Sequence, residues 1–183
     1  MPNKYYELNV AGCKRKLPIM PISEDIAIAG FIILGDTEIV EKSASELAKR
    51  IPKETEILMT AETKGIPLVA EMARVLGMKR YIVARKSIKL YMRNPLVVED
   101  QSITTKGKQI LCLMDTDAEL LKGKNVLLVD DVISTGGSMT AMKKLASAAG
   151  ATVVGEAAIL AEGDSVKRKD IIFLEELPLI KLK

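Results

Sequence analysis

The amino-acid sequence predicts an α/β fold: a mainly parallel sheet covered by helices on both faces. Two observations predict it. Short apolar runs alternate along the chain with segments of helical periodicity, and the turns between them are short. The most sharply defined of these units, Asn125 to Met142, is an apolar strand, a turn of small residues and a helix in immediate succession. At 183 residues the chain is long enough for one such domain with a full core and too short for two.

Residues 1–36 mix short apolar runs with Gly12, Pro18, Pro21 and Gly30. Ile26 to Leu34 is their most strand-like part, with Gly30 a point of bulge or close approach, and no helix-turn-helix pattern is present. From Thr37 to Ile51, apolar residues at 40, 44, 47, 48 and 51 have helical spacing. Glu56 to Met59 is a short buried strand that runs into a polar turn, Thr60 to Gly65. A second helix follows, with Pro67 near its start and Gly77 at its end. Tyr81 to Ala84 is the next strand.

Lys79 to Lys89 then holds five cations, Lys79, Arg80, Arg85, Lys86 and Lys89, and no acid. A charge run of this kind is usually a solvated face. Placed after a strand, in a chain that also carries a phosphate-type turn, it is a candidate diphosphate site. Residues 92–108 have little periodicity and contain Asn94-Pro95 and Gly107, signals of a loop or mobile hairpin of the kind that often acts as a lid. Gln109 to Met114 is a strand, and Asp115 to Gly123 a polar connection. Beyond Gly150, Thr152 to Leu160 and Ile171 to Leu174 are two further strands, separated by a charged loop, and Glu175 to Lys183 gives no clear pattern.

The chemistry concentrates at residues 125–142. Val126 to Val129 run into Asp130 and Asp131, and after Val132 and Ile133 comes Ser134-Thr135-Gly136-Gly137-Ser138 ahead of the helix. Backbone N–H groups and a helix dipole converge on an anion in this geometry. The glycines permit close approach, and the hydroxyls of Ser134, Thr135 and Ser138 can donate to phosphate oxygens. The turn has neither the lysine of a Walker P-loop nor the G-x-G-x-x-G of a dinucleotide fold. Two acids beside a phosphate would repel it, so they suit another part of the same ligand, and sugar hydroxyls, which donate hydrogen bonds, suit them best. All three polar turns, at 60–65, 85–89 and 130–138, follow strand C-termini and can converge on one site.

Composition narrows the classes. There is no histidine, and Cys13 and Cys112 lack metal-ligand spacing, which argues against zinc sites and histidine-based triads. Net charge is +3, too mild to argue for nucleic acid. Neither a signal-peptide core nor a membrane-spanning run is visible, so a cytoplasmic, reduced setting is expected.

VLLVDDVISTGGS resembles the signature of the type I phosphoribosyltransferases, which bind 5-phosphoribosyl-1-pyrophosphate (PRPP). The resemblance implies that Asp130 and Asp131 hold the ribose hydroxyls and act in catalysis, and that Ser134, Thr135, Gly136, Gly137 and Ser138 hold the 5′-phosphate. Glu62-Thr63-Lys64-Gly65 is similar to the pyrophosphate loop of the adenine-type enzymes, with lysine where arginine is usual. That change keeps the charge and loses the bidentate fork. Arg85, Lys86 and Lys89 match the family's R-K-x-x-K pattern, whose cations bind pyrophosphate, in some members across a dimer interface. Residues 92–108 take the place of the flexible catalytic loop, and Gln101 to Thr105 look more like the xanthine-type enzymes and their regulatory relatives.

The family fold is a parallel five-stranded sheet flanked by helices, with a small hood that holds the base. Here residues 1–36, with or without the tail, are the hood candidate and 37–174 the core of a single domain, 1–183. Phe31 could stack on a purine, though a lone phenylalanine in an aliphatic run is more often core. The implied function is transfer of the 5-phosphoribosyl group from PRPP to a purine base, with Mg²⁺ as cofactor and a homodimer as the assembly. The metal would be held mainly by PRPP, with Asp130 or Asp131 contributing through water. Glu62 to Gly65 favour adenine slightly, and the loop favours xanthine or hypoxanthine.

The rival reading is a PRPP-sensing regulator of purine or pyrimidine genes with the same fold. About 36 residues precede the first clear helix, less than a winged-helix domain needs, and no nucleic acid partner is expected. An RNA-binding attenuator would show steeply salt-dependent binding.

Overall fold

The structure, a computed structural model, describes residues 5–100 and 109–182. The chain begins with a hairpin, β1 (Tyr5–Val10) and β2 (Cys13–Pro21), joined at Ala11 and Gly12. Both turn residues have positive φ, 50° and 76°, as a tight two-residue turn between twisted strands requires. Strict alternation puts Leu8, Val10, Cys13 and Leu17 inside, with Glu7, Asn9, Lys14 and Lys16 outside. β3 (Ile26–Ala29) pairs with β2, so the strand expected from Ile26 to Leu34 ends at Ala29.

Next come α1 (Thr37–Ala48), β4 (Ile57–Ala61), α2 (Gly65–Val75) and β5 (Ile82–Ala84). β6 (Leu96–Asp100), inside the stretch 92–108 read as a loop or hairpin, pairs antiparallel with β7 (Gln109–Leu113), the strand expected after it; Gln101 to Thr105 lie outside the described residues. Asp115–Leu121, expected to be a polar connection, is instead a short helix, α3, whose first turn carries Asp115 and Asp117 where the helix dipole favours acids. β8 (Asn125–Ile133), α4 (Gly137–Ala148), β9 (Thr152–Glu162), a 3-10 turn (Gly163–Lys167), β10 (Ile171–Leu177) and β11 (Ile180–Lys181) complete the chain. β8 continues two residues past the acids.

The main sheet has five strands in the order β10-β9-β8-β4-β5, and every neighbouring pair is parallel. Along β8, Leu127 and Val129 pack with Leu47 of α1 and Leu68 and Met72 of α2 on one face. Val126 and Leu128 pack with Met142 and Leu145 of α4 on the other, along with Leu113 of β7. A strand buried on both faces reads as a continuous apolar run, which is why this one stood out.

The second sheet, β1-β2-β3-β11, is antiparallel and contains the C-terminal tail. It forms the small hood. Arg15 ties it to the core, meeting Asp36 through Nε at 2.6 Å and Nη2 at 2.9 Å while Asp36 caps α1 at the N–H of Ile39. The same guanidinium holds the Asp36 carboxyl below the usual carboxylate range. Phe31 is buried in the core rather than presented to a ligand. Among the described residues, no helix is long and apolar enough to cross a membrane.

Candidate active site

The chain leaves β4 towards β5 on one side and β8 towards β9 on the other, so the connections part between β4 and β8. In open α/β sheets ligands sit in the crevice at the strand C-termini where this happens. Three of the sequence-predicted turns follow β4, β5 and β8, at that end of the sheet.

Asp130 and Asp131 lie near the end of β8. Successive strand residues face opposite sides, and here Asp131 is buried while Asp130 is partly so. Oδ1 of Asp130 accepts the N–H of Asp131 at 2.9 Å. Burial, and then the charge of Asp131, push the Asp130 carboxyl up from its ordinary 3.8 to about 7. Lys64, from the turn after β4, meets Asp131 Oδ2 at 2.7 Å with its own side chain about half exposed.

Gly65 opens α2 against this pair. A β-carbon built there would stand 2.1 Å from Thr60 Oγ1 and 3.3 Å from Asp130 Oδ1, so only glycine lets the β4 turn close over the acids. Thr60, read from the sequence as the first residue of the polar turn, is instead buried on β4, which runs on to Ala61.

Glu62 joins two turns. Its carboxylate forms an ion pair with Arg85, Oε1 to Nε 2.6 Å apart, and accepts from the Lys86 N–H at 2.8 Å, and its own N–H donates to the carbonyl of Ala84 at 2.9 Å. The Glu62–Thr63 peptide bond is cis, and Thr63 is exposed. Arg85 is also bridged through its backbone to Cys112 on β7, N–H to carbonyl in both directions, at 2.8 and 2.9 Å. Lys86 is exposed, and Lys89 donates to Ser87 Oγ at 2.6 Å. Glu62, Lys64, Gly65, Arg85 and the two acids thus form one connected group, whereas Lys86 and Lys89 lie at its exposed edge.

Ser134 to Ser138 turn from β8 into α4. Gly136 has φ 80° at the N-cap, a left-handed conformation that favours glycine, and its carbonyl accepts from Thr140 N–H and Oγ1. Ser134, Thr135, Gly137 and Ser138 are exposed, so their donors face solvent at the positive end of a 12-residue helix. Ser165, from the 3-10 turn after β9, reaches the Ile133 carbonyl with its hydroxyl at 2.5 Å and fixes the turn's entry. The sequence offered no signal for that contact, because 32 residues separate the two. Chemically, the arrangement offers a pair of carboxylates to hydroxyl donors, an amide-lined turn to a monoester phosphate and a cationic edge to a polyanion.

The family model described as the phosphoribosyl transferase domain matches residues 34–178. A hypoxanthine/guanine phosphoribosyltransferase of Methanotorris igneus is 30% identical over 154 residues, 81% of this chain and 74% of that protein. An adenine phosphoribosyltransferase of Rhodococcus opacus is 36% identical over 106 residues, 58% of this chain and 57% of that one. Among solved structures, the adenine phosphoribosyltransferase of Thermoanaerobacter pseudethanolicus superposes with a TM-score of 0.64 at 23% identity, covering 94% of this chain and 95% of its own, which is a likeness of fold.

Proposed function

Because the chain belongs to the phosphoribosyl transferase family, we propose that it is a purine phosphoribosyltransferase that uses PRPP and one of the bases its relatives are named for, adenine or hypoxanthine/guanine. The products are the nucleoside 5′-monophosphate and pyrophosphate. The observation that carries this reading is the reach of Lys64 to Asp131 across the parting of β4 and β8, beside the 134–138 turn.

In the proposed reaction the bond from C1 of the ribose to pyrophosphate breaks, a base nitrogen bonds to C1, and that nitrogen's proton is lost. The transition state is oxocarbenium-like. Asp130 and Asp131 orient the ribose hydroxyls and favour positive charge growing at the sugar. Burial beside Asp131 favours the protonated form of Asp130, which places this carboxyl to hold or release a proton. The turn from Ser134 to Ser138 anchors the 5′-phosphate. Lys64, Arg85, Lys86 and Lys89 offset charge on the leaving pyrophosphate, with Glu62 setting the direction of Arg85.

Magnesium, when bound to the substrate's oxygens, supplies further charge neutralisation. The hard oxygen donors of Asp130 or Asp131 would fit such an ion through water, with the substrate holding most of it. A homodimer and a cytoplasmic setting belong to the same proposal. The deciding experiment is pyrophosphate release with PRPP and Mg²⁺ across adenine, hypoxanthine, guanine, xanthine, orotate and uracil. Release with a purine is expected. Tight PRPP binding with no release for any base would replace the enzyme with a PRPP sensor.

A further inference from the structure

The turn Ser134 to Ser138 holds no cation of its own, although a phosphate monoester carries about 1.5 to 2 negative charges at neutral pH. A helix N-terminus offsets only about half a unit of that. The structure sets a guanidinium against the turn. A β-carbon on Gly136 would stand 3.7 Å from Arg168 Nη1. Arg168 comes three residues after Ser165, whose hydroxyl holds Ile133, so the segment that fixes the turn's entry also carries a guanidinium close to its middle.

The guanidinium is only partly committed. Its Nε and Nη2 meet Asp170 at 3.0 and 2.6 Å, and Nη2 lies 3.1 Å from Glu156 Oε2. Nη1 has no acceptor among the described residues. Glu156 is buried, and Lys143 of α4 also pairs with it, so the buried charge stays balanced if Arg168 turns to another anion. Asp170 is mostly exposed, and its hold on the guanidinium is weakened by water.

We infer that Arg168 is a substrate-binding residue whose Nη1 donates to the 5′-phosphate of a sugar seated on the 134–138 turn. The inference rests on the reading of that turn as the 5′-phosphate site. Arg168 supplies the charge that the turn lacks, and its planar fork keeps two donors on the protein while the third faces the ligand.

The test is calorimetric titration of the full chain with ribose 5-phosphate and, separately, with magnesium pyrophosphate, as wild type, Arg168→Gln and Arg168→Lys. Arg168→Gln is expected to weaken ribose 5-phosphate binding by roughly 10- to 100-fold, the worth of a hydrogen bond to a charged group, and to leave pyrophosphate binding unchanged. Arg168→Lys, which keeps the charge and loses the fork, is expected to recover only part of the loss. Wild-type affinity in Arg168→Gln overturns the inference. So does an equal loss of pyrophosphate binding in Arg168→Gln, which would make Arg168 a structural brace. Because ribose 5-phosphate binding is read without turnover, failure of the enzymatic reading, no product from PRPP and any base, is a separate result.

Discussion

Lys64 Nζ lies 2.7 Å from Asp131 Oδ2, across the parting of β4 and β8. The lysine is half exposed and the aspartate buried, so the two ends of this pair have different tasks. Removing the lysine strands a buried charge, whereas amidating the aspartate removes the charge and keeps the shape.

Lys64→Met is therefore expected to destabilise the fold by about 1 to 2 kcal/mol, less than the loss from a fully buried ion pair because the lysine is half exposed. Asp131→Asn is expected to cost little stability but to raise KM for PRPP sharply and lower turnover. Thermal unfolding beside steady-state kinetics checks both. Equal losses of stability and PRPP use in Asp131→Asn would make the residue a structural one.

Glu62 holds Arg85 and the Lys86 backbone together, so it acts through them. Glu62→Gln keeps an acceptor for the Lys86 N–H but gives up the charged pair with Arg85. We expect kcat/KM for PRPP to fall roughly 10-fold. Added to Arg85→Gln, the same change should do almost nothing more, because the two residues work as a unit. Additive losses in that double-mutant cycle would count against the coupling.

Gly65 faces Thr60 and Asp130 too closely for a side chain. Gly65→Ala is expected to cost about 1 to 3 kcal/mol, as overpacking of a tight site does. Thr60→Ala in the same chain removes the 2.1 Å clash and should restore part of the loss. Chemical denaturation of the two single variants and the double variant measures this directly, and a double variant no better than Gly65→Ala would place the strain elsewhere.

Asp130 gives the fold a pH dependence of definite sign. Burial, and then the charge of Asp131, push its carboxyl up to about 7 in the folded chain from the ordinary 3.8 of an unfolded one. Between those values the native state keeps a proton that the unfolded state has released. This group's contribution to stability is therefore complete below about pH 4 and is lost as pH rises towards about 7. Asp130→Asn should gain on the wild type in melting temperature across that window, and parallel curves would contradict the assignment.

The strands most legible in the sequence were the ones buried on both faces. Val126 to Val129 advertised β8 because no polar residue interrupts them, and the turn after it was legible because small residues and hydroxyls cluster there. The β1–β2 hairpin was not singled out. Its alternation runs through Lys14, Arg15 and Lys16, and its Ala11-Gly12 turn lacks the Asn-Gly or Asp-Gly that usually marks one. α3 escaped because seven residues with one buried leucine hold too little periodicity to read. Contacts such as Lys64 to Asp131, Glu62 to Arg85 and Ser165 to Ile133 join separate strand ends, and nothing in a linear pattern encodes which ends will be neighbours.

The short ladder between Ile180-Lys181 and Ile26-Ala27 brings together positions more than 150 residues apart in sequence. Closing so large a loop costs conformational entropy, and the five-stranded layer lowers that cost by gathering the intervening chain. Trimming Ile180 onwards, or fusing a bulky partner there, would thus disturb a sheet built mostly from the opposite terminus while leaving the Asp130–Asp131 strand in place.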